Sequence, residues 1–365
     1  MSIDKLIFSL IAIFAVMGGL DRILGNRLGL GKAFEEGIVT MGQLALTMTG
    51  ILVISPVLAD ILELIVVPFF RFMGADPAVF AGCLLACDMG GASLAQELAD
   101  SPQAASLGGI LTASMLGGTV SFTLPLSMDV LAPDDRPYAA KGILCGIITI
   151  PVGVLVGGIA AGFSLSMILH NLLPIVCISA LIALGLWKVE KLLIKTFAIL
   201  GKIIIAIATA GLVAAGVEQL TGIVLIQGMS PLEDTFIIIG EIAIVLAGAF
   251  PLLEILKRLL KNPLTQIGKR MGMNSTSVAG LIASLANSIA TFGMVKDMDT
   301  RGKVMNMAFA VSGAFVFGDH LAFTAGFEPS MVTPVIIGKL IAGITAILVA
   351  LWITRKDCKE DITNV

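Results

Sequence analysis

LACDMGGASLAQ, residues 85–96, sets an aspartate and a glycine pair inside a run that otherwise suits a bilayer-spanning helix. A carboxylate at the bilayer centre costs roughly 2.5–3.5 kcal/mol on insertion scales. As a straight span, the stretch is therefore a poor one. It fits better as the tip of a hairpin that enters and leaves the membrane by one face. Gly90 and Gly91 let the chain reverse there. The backbone groups freed at the reversal must then be satisfied by protein, water or ligand, because lipid offers nothing. The choice between span and hairpin decides the fold.

The rest of the chain supplies the context. Its 365 residues are 57% hydrophobic and only 13% charged, with a mean hydropathy of +1.01. A soluble domain carries roughly twice that share of charge. Apolar segments recur at about 4–24, 37–70, 77–98, 105–128, 139–163, 165–187, 196–217, 234–256, 276–295, 304–326 and 331–353. The expected class is an all-α polytopic membrane protein. The first segment reads as a retained span, since no signal-cleavage site follows it. Lys and Arg lie in short loops with no basic face, so nucleic-acid binding has no support. Cys83, Cys87, Cys145, Cys177 and Cys358 are scattered and read as small buried residues, with no metal site or cofactor implied.

Basic residues assign sides by the positive-inside rule. Arg22, Arg27 and Lys32 mark one cytoplasmic loop, Arg136 and Lys141 another, and Lys188, Lys191 and Lys195 a third. Lys257, Arg258, Lys261, Lys269 and Arg270 crowd a fourth, and Arg355, Lys356 and Lys359 mark a cytoplasmic C-terminal tail. Segment 276–295 has such clusters on both flanks, Lys296, Arg301 and Lys303 lying beyond it, so a single crossing would strand one of them outside. If 276–295 is re-entrant from the inside and 77–98 from the outside, the remaining loops fall on their expected sides. Only Lys5 and Arg71 dissent. The scheme has about nine crossings and two hairpins, with the N-terminus outside.

The halves echo each other. GQLALTMTG, Gly42–Gly50, aligns with GEIAIVLAG, Gly240–Gly248, and the same offset brings Phe80-Ala81-Gly82 onto Val278-Ala279-Gly280. A slightly shorter offset brings Gly118 and Phe122 onto Gly313 and Phe317. The expected organisation is a first repeat over 1–164, a linking span over 165–190, a second, inverted repeat over 191–354 and a tail over 355–365. Inverted repeats with broken elements near the midplane are the architecture of secondary transporters, which expose one site alternately to two sides.

Intramembrane carboxylates mark candidate sites by their cost. Asp88 and Asp319 are the best placed, one in each half. Gln43 and Glu241 occupy equivalent positions deep in their helices, and Asn287 and Ser288 sit at the second hairpin tip. His320 either relays a proton or supports its neighbour, and Lys339 snorkels or pairs with an acid. Excess carboxylate points to a cationic substrate. Trp187 and Trp352 lie near helix ends, which argues against an aromatic cage and for a small primary amine.

Three segments carry a resemblance: EEGIVTMGQLALTMTGILVISPVLA (Glu35–Ala59), GADPAVFAGCLLACDMGGASLAQELA (Gly74–Ala99) and FGDHLAFTAGF (Phe317–Phe327). The chain resembles the bacterial ethanolamine-utilisation permease family over essentially its full length. The resemblance implies ethanolamine as substrate and the bacterial cytoplasmic membrane as location. It assigns no binding residue, and it leaves open whether H+ or Na+ is coupled. Homo-oligomers are common among such scaffolds. The expected function is uptake of the ammonium form by alternating access, with hairpins moving against a scaffold. A passive amine channel is the alternative. An intramembrane aspartyl protease is a weaker one, because Asp319 follows Val316-Phe317-Gly318 and so lacks the first glycine of Gly-x-Gly-Asp.

Overall fold

The computed structural model describes residues 3–355, so Lys356, Cys358 and Lys359, with the tail they were expected to mark, lie outside the described residues. Among the described residues every regular element is helical. In chain order these are α1 (Ile3–Ile23), α2 (Leu30–Phe72), the short α3 (Ala78–Leu84) and α4 (Gly91–Leu98), and α5 (Pro102–Ser127). Next come α6 (Arg136–Ala160), α7 (Leu165–Lys188), α8 (Glu190–Thr221) and α9 (Leu232–Arg270). The short α10 (Ser275–Ser284) and α11 (Ser288–Met294), α12 (Thr300–Ser312), α13 (Asp319–Phe327) and α14 (Val332–Ile353) complete the chain. Among the described residues, eight helices are long and apolar enough to cross a membrane. The segment expected at 304–326 is different: it is broken between Ser312 and Asp319, so α12 and α13 together make up a discontinuous element.

Each of the two suspected segments is a pair of short helices that folds back on itself. The first is pinned at its base, where Asp76 Oδ2 accepts from the Asp100 backbone N–H at 3.1 Å while Oδ1 accepts from that of Ala78 at 2.9 Å. In the second, the Asn274 N–H donates to Asp299 Oδ1 at 2.7 Å, and its Nδ2 donates to the Asp297 carbonyl at 3.0 Å. Each helix pair thus starts and ends at one place. Asp299 also caps α12 by accepting from the Gly302 N–H at 2.8 Å, and takes a 2.6 Å bond from Ser277 Oγ. Asp299→Ala should therefore loosen the second hairpin and lose about 1–2 kcal/mol. A lowered melting temperature in detergent is the expected reading, and an unchanged one would mean that the base is held elsewhere.

The turn at the first tip depends on Gly90, whose φ of +93° lies in the left-handed region. Around this tip packs α5, the most buried long helix. Over Leu107–Gly117 and Thr119–Thr123 its backbone is π-helical, so that the Gly118 N–H bonds the Ala113 carbonyl, five residues back. Long π stretches are rare and concentrate at functional sites.

α2 and α9 pack antiparallel: Gly37 lies against Ala247, and farther back along α2's approach the Leu28 carbonyl accepts from Arg258 Nη2 at 2.8 Å. The offset carrying Gly42 to Gly240 also relates structural pairs. It carries Asp76 to Asn274, both at hairpin bases, and Ser101 to Asp299, the caps of α5 and α12. It carries the Gly82–Gly108 contact to Gly280–Asn306. Gly50 abuts the Ala208 carbonyl in α8, and its counterpart Gly248 abuts the Ile11 carbonyl in α1. Each half's long helix is thus gripped by the preceding helix of the other half.

Candidate functional site

Between the two hairpin tips lies a chamber of about 1110 Å³. Gln43 from α2, Asp88 from the first tip, Asn287 from the second and Asp319 at the start of α13 all line it. Four of the six side chains singled out in the sequence therefore converge. Glu241 does not join them: it is exposed on α9 and lies off the chamber wall. Ser288 is fully buried with its Oγ unpartnered, and it too lies off the chamber wall. Gly90 and Gly91 shape the tip from behind: Gly90 rests against Ile51, and Gly91 against the Leu85 and Ala86 carbonyls.

Asp88 is held at the tip by short-range structure. It sits in the one-turn segment Cys87–Met89 between the two helices, and the preceding Ala86 N–H donates to Ser121 Oγ of α5 at 3.2 Å. Its side chain is 17% exposed, and its Oδ1 is buried without a hydrogen-bond partner. His320 Nε2 stands 3.7 Å from it, too far for a hydrogen bond. A buried carboxylate oxygen left open in this way is costly and marks where a donor is missing.

Behind His320 stands Lys339 of α14, which is fully buried. Its Nζ bonds the Ser114 carbonyl at 2.6 Å and His320 Nδ1 at 3.1 Å. Lys339 therefore reaches no interface. It pairs with the carboxylate only through an imidazole, which sequence reasoning missed. The hint was a lone cation inside an apolar span, but its partner lies on another helix. An ammonium donating to Nδ1 fixes the ring as a neutral tautomer with its Nε2–H toward Asp88. Cys87, Asp88 and His320 place their ligand atoms within 4.8 Å of one another. With Lys339 donating to Nδ1 the donor set suits a divalent cation poorly, because a metal would need the Nε2 lone pair that the proton occupies in that tautomer.

The second tip is built differently. Asn287 caps α11, its Oδ1 accepting from the Ile289 N–H at 2.7 Å, which leaves its Nδ2 as the group free to donate. The non-helical link between α12 and α13 lies along this tip, with the Phe315 N–H bonding the Ser284 carbonyl at 3.0 Å and the Phe317 N–H that of Leu285 at 2.9 Å. Phe315 carries a φ of +61°, a strained value for an aromatic residue. Its ring meets Phe122 edge-on at 5.5 Å and lies 5.1 Å from the His320 ring. The chamber thus has an aromatic wall, which the reading based on the two tryptophans did not foresee. Toward its mouth the lining is charged, with Arg136, Glu190, Lys191, Lys195 and Lys202.

Comparison with known proteins gives a consistent result. The family described as "Ethanolamine utilisation protein, EutH" matches residues 3–353. A Listeria monocytogenes protein named "Probable ethanolamine permease EutH" is 50% identical over 99% of this chain and 97% of its own length. A Bacillus subtilis protein, "Uncharacterized protein YxeR", is 46% identical over 97% of this chain and 96% of its own. The Escherichia coli "Probable ethanolamine permease EutH" is 41% identical over 98% and 97%. No solved structure matches. With a family match running nearly end to end and relatives of this identity, the chain is a multi-pass membrane protein belonging to the EutH family.

Proposed function

We infer that this protein is an ethanolamine permease that binds its substrate as the ammonium and carries it across the cytoplasmic membrane by alternating access. One observation carries the reading: the Asp88 carboxylate, partly exposed and with its Oδ1 lacking a hydrogen-bond partner, lines a chamber between two hairpin tips. Ethanolammonium offers three donors to such an acceptor, and the partly desolvated site strengthens the attraction. Asp319 supplies a second carboxylate, the Phe122–Phe315 wall an aromatic face, and Asn287 Nδ2 or Gln43 a partner for the hydroxyl. The chamber far exceeds a four-heavy-atom ligand, so the substrate occupies its inner end and water fills the rest.

The internal duplication supports the mechanism. Antiparallel α2 and α9, two hairpins pinned alike and helices exchanged between halves fit an inverted repeat. Arg136, Lys191, Lys195 and Lys202 line the chamber's exposed side, which by the positive-inside rule supports a cytoplasm-facing state with the N-terminus outside. The two hairpins with α5, α12 and α13 would move as one body against the remaining helices, by analogy with other hairpin-containing transporters.

Counterflow separates carrier from channel. Proteoliposomes preloaded with unlabelled ethanolamine should take up external label several-fold faster than empty ones, because a loaded site returns faster than an empty one. Equal rates at saturating substrate would favour a passive pore.

A further inference from the structure

The charges at the inner end of the chamber do not balance when the site is empty. With Lys339 protonated and donating to His320 Nδ1, the imidazole is neutral, and the corner holds two carboxylates, Asp88 and Asp319, against one cation. On its other side Asp319 borders a smaller cavity of about 130 Å³ lined by Glu36 of α2 and Glu254 and Lys257 of α9. Glu36 is exposed, and Glu254 pairs with Lys257 and Arg258 where water screens all of them. The remaining side chains at this corner carry no charge. α2 contributes Thr40, Gln43 and Thr47, and α5 contributes Ser114 and Ser121. Asn287 comes from the second tip, the Cys87 thiol stands beside Asp88, and Ala310, Val311, Ala314 and Phe315 face it from α12 and the link after it. Arg136, Glu190, Lys191, Lys195 and Lys202 stand at the mouth, where water screens them.

Alternating access requires the site to pass through a closed state without bulk water. An unpaired charge is expensive there. A site loaded with ethanolammonium carries two negative and two positive charges and can close. An empty site closes at no net charge only if one carboxylate holds a proton.

We propose that ethanolammonium and a proton compete for the Asp88–Asp319 pair, with Lys339 as the fixed counter-charge held against it through His320, so that one ethanolammonium is exchanged for one proton. This rests on the ethanolamine permease reading. The proton joins a carboxylate from chamber water after the substrate leaves, and is released to water on the other side when the next ammonium binds. No net charge moves. The net cargo is neutral ethanolamine, so the membrane potential does no work on uptake.

The test uses wild-type protein in liposomes at pH 6, with labelled ethanolamine outside and a pH-sensitive dye trapped inside. Uptake by Asp88→Asn liposomes is subtracted to remove leak of the free base. Expected is protein-dependent uptake that changes less than twofold under an inside-negative potassium diffusion potential, while the interior turns alkaline by one proton per ethanolamine. The apparent KM should rise about tenfold per pH unit at the acid limit with the maximal rate unchanged, as competition at one site requires. Uptake accelerated roughly tenfold or more by the potential, with no alkalinisation, would overturn the exchange and leave the permease reading intact. If wild type takes up no more than protein-free liposomes, the permease reading fails and the exchange with it.

Discussion

Asp88→Asn should lower ethanolamine uptake by about 100-fold at acid pH while leaving the protein folded. Removing one partner of a partly buried charge pair costs about 3 kcal/mol or more, and each 1.4 kcal/mol is a factor of ten. The substitution keeps the shape of the side chain. It breaks no hydrogen bond at Oδ1, because that atom makes none. The fold at the tip rests instead on Gly90, on the Ala86–Ser121 bond and on the packing of α5. Melting temperature and membrane insertion should therefore match wild type, with the loss concentrated in transport. An Asp88→Asn protein that transports at the wild-type rate would make this carboxylate structural and move the ammonium to Asp319 or elsewhere.

Gly50→Ala and Gly248→Ala should each destabilise the protein by about 3 kcal/mol or more, beyond the usual cost of overpacking. A Cβ at Gly50 would sit 1.6 Å from the Ala208 carbonyl oxygen, and one at Gly248 2.3 Å from that of Ile11. Neither obstacle is the end of a flexible side chain. Both are helix backbone, so α8 or α1 would have to move away. The control lies one repeat of the pattern earlier: Gly42 and Gly240 have nothing within 4 Å of an added Cβ. Alanine at either should be neutral or slightly stabilising through helix propensity. Thermal unfolding in detergent reads all four. If Gly42→Ala and Gly50→Ala melt alike, the close crossing of α2 and α8 does not hold the fold.

Much of this architecture is legible in the chain because membrane insertion constrains it so strongly. Long apolar runs could only be helices, and the basic clusters flanking 276–295 argued against a simple crossing where the chain makes two short helices, α10 and α11. The Asp-Met-Gly-Gly stretch announced a tip. Less legible was what depends on packing between distant segments. The Lys339–His320–Asp88 line joins three elements, and no spacing in the sequence reports it. The break between Ser312 and Asp319 lies in a run as apolar as its neighbours, and pairing with the second tip holds it open. Gln43 and Glu241 look equivalent by alignment, yet only Gln43 meets the chamber, because the chamber opens to one side of the paired helices.

The most direct measurement is equilibrium binding of labelled ethanolamine to the purified protein at pH 6, for wild type, Asp88→Asn and the exposed-helix control Glu63→Gln. Saturable binding at one site per chain, kept by Glu63→Gln and lost in Asp88→Asn, is the expected result. Equal binding by wild type and Asp88→Asn would place the amine on a group other than Asp88 and contradict the site described above.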